Sequence, residues 1–137
     1  MRKRCRRKVL DSRANPIAAA IAAAHFDGDL TTIRTSNLLA LADLRTGKVD
    51  RNAMVVLGAI VGASERLARA GIGLEALAPI AAGKRALAAI AAAGGLAEND
   101  AAISAVLEVH AWYESQLDAA TPADVARALA PYVRLPR

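Results

Sequence analysis

The amino-acid sequence predicts an all-α protein, a compact bundle of five to six helices behind a disordered basic arm. Three observations lead there. The hydrophobic fraction is 55%, much of it alanine, while aromatics make up only 3%, a balance that suits closely packed helices. β-branched alternation is absent, so nothing reads as a strand. Prolines, glycines and capping residues recur where helices should start and stop. The 137 residues suit one domain and bury enough surface to fold without metals or disulfides.

Residues 1–13 form the arm and 14–137 the helical domain. The opening MRKRCRRK holds six positive charges in eight residues. Such a run repels its own compaction and is expected to be disordered when free. Asn15-Pro16 then opens a first helix, Pro16 to about Ala24, by the preferences at N-cap and N1. His25 to Asp29 ends it in a turn. Asp27 and Asp29 flank a glycine there, but the ordered ligands and closing glutamate of a calcium loop are missing, so an ordinary turn is expected.

A second helix is expected from about Thr32 to Thr46, with Ile33, Leu38, Leu41 and Leu44 toward the core and Gly47 as its stop. The stretch Asp50 to Ala70 reads as the central helix, capped by Asp50 and closed by Gly71. Met54, Leu57, Ile60, Val61, Ser64 and Leu67 fall on its broad apolar face. Gly58 and Gly62 sit on the opposite stripe among Arg51, Arg66 and Arg69. Each glycine costs roughly 1 kcal/mol against alanine in a helix interior, which suggests close approach of a neighbouring helix and a rod covered on nearly all sides. Helix, glycine turn, helix is also the outline of a DNA-reading helix-turn-helix. Met54 to Leu57 are poor base readers, however, so a packed αα-hairpin is the better reading.

Gly71-Ile72-Gly73 makes a corner, and Pro79 either opens a helix reaching about Ala93 or kinks one that starts at Leu74. Its stripe is Ile80, Gly83, Leu87 and Ile90, with Lys84 and Arg85 toward solvent. Gly94-Gly95 ends it. Asn99 caps a helix from Asp100 to about Ala119, with Ile103, Val106, Leu107, His110, Tyr113 and Leu117 inward. Thr121-Pro122-Ala123-Asp124 resembles a capping box and opens a last helix to about Ala130, stopped by Pro131. Tyr132 to Arg137 is expected to be extended.

The charge is unevenly placed. Residues 1–13 hold seven of the 18 Lys and Arg and one acid, a net of +6, whereas the other 124 residues carry a net of −1. Arg2, Lys3, Arg4, Arg6, Arg7 and Lys8 are therefore the candidate nucleic-acid contacts, suited to phosphate groups and sensitive to salt. The same run reads equally as a solubilising end. A membrane role fits less well, since the following helix is poorly amphipathic. The longest uncharged runs, such as Ala53 to Ser64, contain 12 residues, against roughly 20 for a bilayer span. A cytoplasmic protein is expected, with the basic start a weaker match to a signal peptide.

No catalytic constellation is visible, and neither a cofactor nor a metal is expected. His110 and Glu114 are spaced i, i+4, but His25 lies elsewhere and no third ligand is evident. His110 is expected to be a buried, hydrogen-bonded structural residue. Cys5 has no partner for an internal disulfide and no accompanying motif. Trp112 projects almost opposite His110, with Val109 and Gln116 around it, and the three form a candidate protein interface. Alternatively, the terminal helix folds back over the ring.

The basic start leading to Asp11 and Pro16, the segment ALADLRTGKV (Ala40 to Val49), ASERLARAGIG (Ala63 to Gly73) and the late helix around Glu108, His110 and Leu117 resemble small helical proteins of proteobacterial prophages and mobile elements. That group generally has no assigned function. Its members tend to place an asparagine in the middle of the central helix, where this chain has Ala63 or Ser64, and aromatics near the basic start, which are missing here. The resemblance implies accessory work in a mobile element and no catalytic residue. Two functions follow as expectations. One is a non-enzymatic protein that associates with nucleic acid through its arm. The other is a protein-binding module, an inhibitor or adaptor of a host or defence protein, whose helical surface meets that protein or a second copy in a homodimer.

Overall fold

Residues 30–132 are described by the computed structural model. They form an all-α bundle whose helices are α1 (Thr31–Arg45), α2 (Arg51–Arg69), α3 (Leu77–Ala92), α4 (Asp100–Ala119) and α5 (Pro122–Leu129). Short 3-10 turns at Leu74–Ala76 and Ala130–Tyr132 precede α3 and follow α5. The basic arm, the expected helix from Pro16 to Ala24 and the residues after Tyr132 lie outside the described part.

Local chemistry sets the ends of these helices. The Asp50 carboxylate accepts the Ala53 amide at 2.7 Å and starts α2. Gly71 at φ +94° ends it, and the Ile72 amide reaches back to the Leu67 carbonyl at 2.9 Å. Asn99 accepts the Ala101 amide at 2.9 Å to open α4. Thr121 and Asp124 form a reciprocal capping box at the start of α5. Pro79 neither opens nor kinks α3. It is the third residue of the helix, inside the first turn, where a missing amide proton leaves no hydrogen bond unmade.

α2 is the central element, packed against α1, α3, α4 and α5. Its buried residues include Ala53, Leu57, Ile60, Val61, Ser64 and Leu67, the face expected from their spacing. Leu44, Ile80, Val106, Tyr113 and Val125 from the other four helices complete the core. Two loops on one side of the bundle are tied together. Lys48 and Leu96 form an isolated antiparallel bridge, with the Val49 amide on the Gly95 carbonyl and the Ala97 amide on the Gly47 carbonyl, each at 2.8 Å.

Neither glycine of α2 receives a helix of the described residues. At Gly62 an added β-carbon would collide with the phenol of Tyr132, so that glycine admits an aromatic ring from the end of the chain rather than a helix. At Gly58 none of the described residues elsewhere in the chain comes within 4 Å of the β-carbon position. The glycine that lets two helices meet is Gly83 on α3, directly against the Val109 side chain of α4. Among the described residues α2 is therefore not covered all round. Arg51, Asn52, Val55 and Arg66 remain exposed along one face.

Candidate functional site

The six basic residues assigned to nucleic acid, Arg2, Lys3, Arg4, Arg6, Arg7 and Lys8, fall outside the described residues. The proposed protein interface falls within them and needs correcting. Val109 and Gln116 are 0% and 1% exposed, so neither offers a surface to a partner, and Trp112 is half-buried against the core. The reason is that α4 lies between α2 and α3 and packs on both. The buried face of α4 is therefore centred on Val109, Tyr113 and Gln116 rather than on His110, while Ser104, Glu108 and Ser115 on the other side are exposed.

Gln116 is the centre of a buried polar knot. Its amide nitrogen donates to the carbonyls of Ser64 at 3.0 Å and Ile72 at 2.9 Å. Its carbonyl oxygen accepts the Ser64 hydroxyl at 2.5 Å. The knot joins α4 to the middle of α2 and to the corner behind it. Satisfied on each of these groups, it fixes the register between the two helices.

A second polar cluster joins α1 to α4 at the surface. Arg34 Nη2 donates to Asp118 Oδ1 at 2.6 Å, and its Nε lies 3.2 Å from Glu114 Oε2. The other Glu114 oxygen is 3.4 Å from His110 Nε2, a contact without hydrogen-bond alignment that becomes ionic only if the imidazole is protonated. Asp118, aided by Glu114, raises the Arg34 pKa, so the guanidinium stays charged. Burial lowers the His110 pKa below its ordinary value, against the opposing pull of Glu114. His110 is thus a neutral, partly buried residue. It was expected buried and hydrogen-bonded; it is only half-buried, and its Nε2 has no hydrogen-bond partner among the described residues.

The sign of the pH effect follows from that shift. The folded pKa of His110 lies below the unfolded value, so the unfolded chain binds the proton more readily. Stability contributed by neutral His110 is full above about pH 6.5 and falls as pH drops through the window below it. In urea titrations His110→Leu is expected to fold and to show a smaller loss of stability between neutral and mildly acidic pH. An unchanged pH slope in that variant would assign the window to other groups.

Elsewhere the charges are paired or dispersed. Lys84 of α3, expected in solvent, reaches Glu65 of α2 at 2.6 Å, and that contact lowers the Glu65 pKa. Among the described residues no group of three His, Cys, Asp or Glu is placed to hold a metal, and no helix is long and apolar enough to cross a membrane. Large apolar side chains do reach the surface. Leu38, expected toward the core, and Leu39 on α1, together with Val55 on α2, are all more than half exposed. The clasp of Arg34 with Glu114 and Asp118 left no trace in the sequence, because 80 or more residues separate its members. Ser64 did carry a signal, as a polar residue on the apolar face of α2.

The chain matches no protein-family model, no curated protein and no solved structure.

Proposed function

We propose that the chain is a non-enzymatic accessory protein of a phage or mobile element that associates with nucleic acid through Arg2, Lys3, Arg4, Arg6, Arg7 and Lys8. The supporting observation is the separation of charge. The described helical body holds nine Lys and Arg against ten Asp and Glu, a net of −1, while residues 1–13 carry +6. Guanidinium and ammonium groups on such an arm contact phosphates and release the counterions condensed there. The body contributes little long-range attraction, so affinity depends on the arm and sequence preference is slight.

Fluorescence anisotropy with a short labelled duplex, at several salt concentrations, tests this. An arm using about four to six charges gives a slope of log affinity against log salt of roughly −4 to −5. Removing the first eight residues should abolish most binding and flatten the slope. Absence of binding at low salt would leave the arm a solubilising end. Equal binding by the truncated chain would move the site to the body.

A protein-binding module, an inhibitor or adaptor of a host or defence protein, is the second reading. The exposure of Leu38, Leu39 and Val55 supports it, since side chains of this size cost less when covered.

A further inference from the structure

The open face of α2 has an apolar centre and basic ends. Val55 is 63% exposed. Ala59 is half-buried beside it, and none of the described residues elsewhere in the chain comes within 4 Å of the β-carbon position of Gly58. Tyr132, 42% exposed, fills the space over Gly62, on the turn between Ala59 and Arg66. Arg51 lies one turn before Val55 and Arg66 two turns beyond Ala59. Both are exposed, and neither forms an ion pair among the described residues.

We propose that this face of α2 docks an amphipathic helix of another protein, with small or aliphatic residues along its seam and acidic residues on its flanks. Val55, Gly58 and Ala59 form the floor, and Arg51 and Arg66 take the carboxylates. Gly58 lets the partner backbone approach closely, which accounts for a glycine that the fold itself does not use. A second copy of this chain is the wrong occupant. Antiparallel self-packing about Gly58 and Ala59 sets Arg51 of each copy opposite Arg66 of the other, and parallel packing sets Arg51 on Arg51. Glu65 offers no relief, being held by Lys84 and Arg69. Duplex DNA fits less well because Val55, Gly58 and Ala59 carry no side-chain donor or acceptor for base edges. The inference deepens the protein-binding reading and does not depend on the arm.

The test uses the full chain and two labelled peptides of about 20 residues, the length of α2. Both have an alanine and leucine seam, one with glutamate flanks and one with lysine flanks. Anisotropy should show the glutamate peptide binding and the lysine peptide binding at least about tenfold more weakly. The double variant Arg51→Glu, Arg66→Glu should reverse that order. Gly58→Leu should retain the helical circular dichroism and melting transition of the parent, because the position is open, yet bind the glutamate peptide about tenfold or more weakly.

No binding of the glutamate peptide, equal binding of both peptides, or full binding by Gly58→Leu would each overturn the proposal. So would a dimer in sedimentation that Gly58→Leu dissociates, or binding of a duplex to the arm-truncated chain that the charge reversal removes. Peptide binding lost only in Leu38→Ser, Leu39→Ser would move the site to α1. That result would overturn the inference while leaving a protein-binding module in place.

Discussion

Gln116→Ala is expected to lower the stability of the bundle by about 2–5 kcal/mol, a cavity and stranded polar groups acting together. The side chain is 1% exposed, and its amide satisfies the Ser64 hydroxyl and the carbonyls of Ser64 and Ile72. Alanine removes all three hydrogen bonds and leaves a void between α4 and α2. Leucine would fill much of the void but not the bonds, so Gln116→Leu should lie between the alanine variant and the parent. Adding Ser64→Ala to Gln116→Leu should cost less than the two single effects combined, because the hydroxyl then no longer seeks a partner. Urea titrations read this as a shift in midpoint at constant slope. A loss below about 0.5 kcal/mol for Gln116→Ala, the scatter of an ordinary surface change, would show that the knot adds nothing.

Gly95→Ala should be comparably damaging, by about 3 kcal/mol or more, for a different reason. Gly95 has φ +95°, and its β-carbon would run into the carbonyl oxygen of Val49. That obstacle is backbone, so no side-chain rotation removes it. Moving the strand-like contact instead would break the bond from the Val49 amide to the Gly95 carbonyl. Gly94 is the internal control. It also has positive φ, at +69°, but its β-carbon would meet nothing within 4 Å. Gly94→Ala should therefore cost only the left-handed penalty of about 1–2 kcal/mol. Thermal melts of the two variants decide it, and equal losses would mean that the Val49 contact is irrelevant.

The parts legible in the sequence were those governed by neighbours along the chain. Asp50, Gly71, Asn99 and Thr121 announce helix ends through bonds spanning a few residues, and the apolar spacing of α2 gives its buried face directly. What a residue meets across the bundle was not legible. Gly58, Gly62 and Gly83 look alike in sequence. They face open space, a phenol and a helix respectively. Val109 and Gln116 were misplaced for the same reason, since helical periodicity gives a direction but not the number of neighbours. Of the candidate sites, the arm was legible only as charge, and the open face of α2 only as a stripe whose covering was wrongly assumed.

The bridge between Lys48 and Leu96 joins the α1–α2 hairpin to the α3–α4 hairpin at their turns. Without it each hairpin could fray from its own loop end. With it the amides of Val49 and Ala97, each bonded across the two loops, should exchange with solvent slowly and at the same rate. Loops are ordinarily the fastest-exchanging parts of a helical bundle. Here two of them are expected to report cooperative opening of both hairpins together, so the slow exchangers of this protein should include residues outside any helix.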